Sequence, residues 1–292
     1  MLNPFDGLKD GLKLLLNQIG SGAGGSVTDL LTKTPAGQYP QAYRTVTSIA
    51  TTAVKPVAMT VLAVVFSLEV LKASRHVEDD GTRGVRTIVS SLFKIILIYL
   101  AATNAGWLCQ LITYLIQQMG TGVSKLATAV APGGGGGVED LGDKMLQAGK
   151  IDDSNTFQQL LAAILLIIPF IISKLAEVAV NLLVMLRFVE LLILTAFGAL
   201  PIAFLGFDGT KSWGEGYIRE YASCAFSNVT LLIGLGVYKA VADDLFKVGD
   251  LAHLTLNQLV FQHWQALVEM SVLMIGLVLI SQKASKALFG QV

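Results

Sequence analysis

Residues 157–207 read FQQLLAAILLIIPFIISKLAEVAVNLLVMLRFVELLILTAFGALPIAFLGF, and the fold turns on this run. Its only charges are Lys174, Glu177, Arg187 and Glu190. One membrane crossing takes about 20 apolar residues. The run therefore holds two crossings, or one crossing followed by a bent extension. An ionisable group in hydrocarbon costs at least about 2.5 kcal/mol on the most lenient insertion scale. The four charges must then face protein, water or a headgroup. The chain reads as all-α, a polytopic bundle of membrane helices.

Composition agrees with that reading. Hydrophobic residues make up 53% of the chain and charged ones 14%, against roughly 25% charged for a soluble domain. The formal net charge is +0, so no global field draws in nucleic acid. The clustered basic face of a nucleic-acid binder is also missing. Cys109 and Cys224 sit in apolar context and read as buried free thiols. Asp6, Asp10 and an apolar run of only three leucines argue against a cleavable signal peptide at the N-terminus.

Outward from the long run, four segments follow. Residues 1–45 form an amphipathic N-terminal segment and hinge. Within it Leu8, Leu12, Leu15, Leu16 and Ile19 recur at helical steps, suited to the headgroup plane or to packing on protein. The GSGAGG at 20–25 matches GxGxxG, but no strand precedes it, so it is a hinge and not a nucleotide site. Residues 46–118 hold the first two spans, within 46–71 and 87–116. Pro56 either kinks the first or begins a new helix. Residues 119–156, with glycines at 133–137, read as a flexible exported loop. Residues 157–292 form the membrane core, with later crossings near 228–245 and 266–281. Counting 157–207 as one crossing plus a bent or re-entrant helix gives five spans. That count best satisfies the excess of Lys and Arg on the cytoplasmic side, with the N-terminus out and the C-terminus in.

Catalysis finds little support. His76, His253 and His263 are scattered, and no carboxylate or cysteine stands at metal-ligand spacing from them. We expect no enzyme, no metal and no cofactor. A sequon at Asn228 opens a crossing and reads as a chance match. The intramembrane charges are the remaining candidates. Lys174 and Glu177 share a helical face, and Arg187 and Glu190 form a second pair pointing nearly the opposite way. Each Lys or Arg either neutralises its own Glu for insertion, or the charges line a passage or a subunit contact. Glu69 and Lys94 are placed to pair across the first two crossings, or to snorkel. Gly198 and Pro201 predict a helix break, which at membrane depth must be covered by protein or water. Gly234 and Gly236 predict close helix packing.

Residues 185–241, MLRFVELLILTAFGALPIAFLGFDGTKSWGEGYIREYASCAFSNVTLLIGLGVYKAV, resemble the core of the TrbL-type family. These are polytopic inner-membrane subunits of type IV secretion and conjugation systems. The likeness rests on an Arg-containing helix, an apolar run through PIAF, then Trp-Gly and Tyr-Ile-Arg before another crossing. It implies a non-enzymatic channel or scaffold subunit in the bacterial inner membrane, helping form the passage for DNA or protein, or the base for a pilus. It also implies partners: a secretion ATPase, a bitopic scaffold protein, further copies of the chain, membrane lipid, and transported DNA or protein in passing. The positions carried over are Arg187, Glu190, Pro201, Trp213, Gly214, Tyr217 and Arg219. A secondary transporter is the alternative, favoured by intramembrane charge and a broken helix. Against it, the two halves show no repeat and the spans are few. A holin-like pore is a third option, though holins are usually much shorter.

Overall fold

A computed structural model describes residues 6–21, 30–77, 81–130, 142–143, 156–245 and 256–291. Within them the chain is helical: α1 (Asp6–Ser21), α2 (Pro35–Gln38), α3 (Pro40–Ile49), a π turn (Ala50–Val54), α4 (Lys55–Val77), α5 (Gly81–Thr103), α6 (Ala105–Val130), α7 (Thr156–Phe197), α8 (Ala199–Phe204), α9 (Lys211–Leu245) and α10 (Leu256–Leu288). No strand occurs among the described residues. Four stretches are long and apolar enough to span: Pro40–Lys72, Gln159–Phe197, Lys211–Val241 and Trp264–Leu288. The pair Val89–Thr103 and Ala105–Leu126 makes a fifth if its bent halves count as one span. The fold is a polytopic all-α bundle.

Several elements depart in detail from the pattern in the sequence. Pro56 stands in the first turn of α4, which follows the π turn without a break, so that Pro40–Lys72 is one continuous helical stretch. The proline cannot donate to the Thr52 carbonyl, and the turn before it widens, the Lys55 N–H reaching back to Ala50. The second crossing is not plain, since its halves meet at 76°. At the bend Thr103 Oγ1 donates to the Tyr99 carbonyl and Asn104 Nδ2 to that of Leu100, at 2.6 and 2.9 Å. Short polar side chains that bond back in this way bend helices. Helix α6 then runs on to Val130, into the stretch read as loop. Glycines 133–137 lie outside the described residues. The amphipathic piece after residue 207 is continuous with the next crossing, as the single 35-residue helix α9.

By contact the chain divides into two units, one of residues 1–32, 119–185 and 228–283, the other of residues 33–118, 186–227 and 284–292. In the first, α1 buries Leu12, Leu16 and Ile19, the apolar face that its spacing marks out. Its polar face holds residues 142–143: Asn17 accepts from the Gly142 N–H at 2.7 Å, and Lys13 pairs with Asp143 at 2.6 Å. That pairing lowers the Asp143 carboxyl below its ordinary range. Close packing at Gly234 is real, for a Cβ there would lie 2.6 Å from Leu277 Cδ2. Pro169 lies inside α7 and leaves the Leu165 carbonyl without its helical donor. Trp264 Nε1 supplies that hydrogen bond from α10 at 3.2 Å. This indole thus repairs a helix.

The second unit has a core of small residues, with Ala58 and Leu62 of α4, Ala102 of α5, Ala105 of α6, and Ala199, Ile202 and Ala203 of α8. Alanines at these contacts let helix backbones approach closely. A second cluster joins Cys109, Leu191, Tyr221, Cys224 and Ala225. Both cysteines are buried free thiols.

Candidate functional site

Residues 197–217, the turn between α7 and α9 with the first turns of α9, bring together five of the positions singled out in the sequence: Gly198, Pro201, Trp213, Gly214 and Tyr217. At its end α7 tightens, and the Gly198 N–H bonds the Thr195 carbonyl at 3.5 Å. The Leu194 carbonyl thereby loses its usual donor four residues on. Tyr217 reaches across from α9 and donates to it at 2.8 Å. A Cβ at Gly198 would lie 2.8 Å from the Tyr217 hydroxyl oxygen, so the glycine makes room for that bond. Pro201 falls in the first turn of α8, where a missing N–H leaves no helical bond unmade. Its carbonyl meets Gly214, where a Cβ would come within 2.7 Å. Trp213 packs edge-on against Phe204 at 5.3 Å. The result is a helical hairpin, α8 folded back on the first turns of α9.

The tip of this hairpin carries the charge that the sequence did not single out, Asp208. Its carboxylate pairs with Lys72 of α4 at 2.5 Å and with Lys94 of α5 at 3.3 Å. Lys94 also reaches Glu69 at 4.0 Å, so the pairing anticipated across the first two crossings is present as part of a larger cluster. Glu69 is 7% exposed, and its Oε2 accepts no hydrogen bond among the described residues. The Lys72 hydrogen bond, and after it Lys94, hold the Asp208 carboxyl below its usual range. Asp208 sits in a turn without helical periodicity, which hides it from pattern reading.

The charges of α7 are placed differently from one another. Lys174 and Glu177 pair with each other at 2.8 Å, both half-buried. Arg187 is 2% exposed and donates from Nη1 to the Ser227 carbonyl of α9 at 3.1 Å. Cys224 Sγ lies 3.9 Å from the Arg187 carbonyl. Next to it Phe188 stacks edge-on with Tyr39. Glu190 and Arg219 are exposed. Within this unit, then, Arg187 joins α7 to α9 from inside, about three turns before the hairpin begins. No group of three or more His, Cys, Asp or Glu suited to a metal occurs among the described residues.

The family described as TrbL/VirB6 plasmid conjugal transfer protein matches residues 76–281. The match covers over two-thirds of the chain and includes α7, the whole hairpin and α9. No curated protein and no solved structure matches. Membership in this family makes the chain a component of conjugal transfer and type IV secretion, with other subunits of that machinery as its associates, and the apolar helices make it a multi-pass membrane protein. With the match embracing the hairpin and the helices it joins, the chain belongs to the TrbL/VirB6 family of plasmid conjugal transfer proteins.

Proposed function

We propose that the chain is a non-enzymatic channel or scaffold subunit of an inner-membrane conjugal transfer machine, with copies of itself and other envelope subunits packed around it. The observation that carries this reading is the length of apolar surface on α7. The helix has 42 residues, or about 63 Å at 1.5 Å per residue, while the hydrocarbon core is about 30 Å thick. Exposed apolar side chains nevertheless run from Leu160 through Ile171, Leu182 and Ile193 to Phe197. Even at the steepest ordinary tilt, about 40°, lipid covers only part of that stripe. Other protein must cover the rest, as in a machine built of many subunits. The secretion ATPase and a bitopic scaffold protein are the partners we expect, with DNA or protein substrate in passing.

The orientation we favour, N-terminus out and C-terminus in, is supported by the grouping of basic residues in the second unit. Lys72 and Lys94 share Asp208, Lys211 pairs with Glu215, and Lys286 pairs with Glu220. The end of α4, the start of α9 and the end of α10 thus bring their cations to one side, as the positive-inside rule asks of a cytoplasmic face. The test of the assignment is purification of the tagged chain from native membranes, with the mass of the assembly measured. Several copies together with other envelope proteins are expected. A lone monomer would remove the main support. Two interrupted helices, at Asn104 and Gly198, favour a secondary transporter as the second reading. Substrate-dependent flux in liposomes holding only this protein would establish that instead.

A further inference from the structure

A cavity of about 400 Å³ lies along the first turns of α6, lined also by α2, α3, α7 and α9. That volume is in the range of small-molecule sites, about 300–1,000 Å³. No Asp, Glu, Lys, Arg or His is among the described residues that line it. Its hydrogen-bonding groups are unevenly committed. Thr113 and Thr195 donate to their own helix backbones at Cys109 and Leu191, and so turn only their oxygens to Tyr221. Tyr43 accepts from Gln110 Nε2, and Thr34 accepts from the Gly37 N–H. Each of those hydroxyls keeps its proton to donate, and Gln110 keeps a second N–H. The wall of the cavity therefore offers three donors, from Tyr43, Thr34 and Gln110, beside the amide oxygen of Gln110. At its mouth Trp107, Leu111 and Tyr114 are 60%, 38% and 53% exposed. They stand at i, i+4 and i+7 on one face of α6, the second half of the bent apolar pair, and so turn the cavity toward lipid.

We propose that this cavity binds an uncharged lipid whose head carries paired carbonyl acceptors, its tail lying along Trp107, Leu111 and Tyr114. A phosphate head fits poorly, because no cation lines the cavity to offset its desolvation. A bare hydrocarbon fits poorly too, because the donors would meet neither water nor an acceptor. The ester pair of a diacylglycerol and the ring pair of a quinone share the required chemistry. The site is independent of the transfer role.

The test is native mass spectrometry of the full chain in detergent, offered dioleoylglycerol, ubiquinone or dioleoylphosphatidylglycerol in separate runs. One equivalent of diacylglycerol or quinone should be retained saturably, and whichever is held names the source. Gln110→Leu with Tyr43→Phe should weaken retention about tenfold, the scale of one or two neutral hydrogen bonds. Ala36→Phe fills the cavity without removing a hydrogen bond and should abolish retention. Retention of neither neutral lipid would overturn the proposal. So would equal retention of phosphatidylglycerol, or retention unchanged by Ala36→Phe.

Discussion

Gly214 and Gly216 lie two residues apart in the first turns of α9, and alanine at each should shift stability in opposite directions. In a helix interior alanine gains about 1 kcal/mol over glycine. At Gly216 nothing lies within 4 Å of the new Cβ, so that gain is the whole effect. At Gly214 the Cβ would lie 2.6 Å from Leu205 Cγ and Cδ2 and 2.7 Å from the Pro201 carbonyl oxygen. Overpacking costs typically 1–3 kcal/mol. The upper part of that range applies, because a backbone carbonyl cannot rotate aside as a side chain does. The net loss is then about 1–2 kcal/mol after the propensity gain. Unfolding midpoints in one detergent should rise for Gly216→Ala and fall for Gly214→Ala. Amide exchange over 199–210 should speed up about five- to thirtyfold in the Gly214 variant, the same free energy expressed as a population. Were both variants stabilised, α8 would not be pressed against α9, and the hairpin as described would be wrong.

Other consequences concern the side chains that repair helix ends. Tyr217→Phe leaves the Leu194 carbonyl without its donor and should lower stability by about 1–3 kcal/mol; an unchanged midpoint would count against that bond. Trp264→Phe does the same to the Leu165 carbonyl. Its effect should largely vanish in a Pro169→Ala background, where residue 169 again has an N–H to give; equal losses in both backgrounds would show that the indole and the proline are uncoupled. The Asp208 cluster predicts a pH dependence. A carboxyl held low by Lys72 and Lys94 contributes fully above the ordinary carboxylate range, and that contribution is lost as pH falls through the depressed value. Amide protection of the hairpin should therefore stay level from neutral pH to about pH 4 and drop below it. Asp208→Asn should flatten the acid drop, and persistence of the drop in that variant would assign it to other carboxyls.

Much of this architecture was legible because membranes simplify the reading. A long apolar run is a helix, and its breaks need Gly or Pro, so residues 157–207 and the break at Gly198 could be placed from composition alone. The Glu69–Lys94 contact was legible for a similar reason, since charges in hydrocarbon must find partners. The bend at Asn104 was not, because one Asn in an apolar run looks like a tolerated polar residue. Its effect comes from back-bonding together with Thr103, which depends on geometry. Asp208 was hidden in a turn of ordinary turn residues and gains importance only when Lys72 and Lys94 arrive from distant helices. Gly214 and Gly216 weaken the helical signal at the front of α9, yet Gly214 is there to let α8 fold back. Nothing in the sequence around Trp264 announces the proline it serves on α7.

Plasmid transfer tests the central claim most directly. An in-frame deletion of this gene in a conjugating donor should reduce transfer to recipients to the background level, with transfer restored by the intact chain supplied in trans and donor growth unaffected. Transfer at the parental frequency in the deletion strain would contradict the assignment to the conjugal machine.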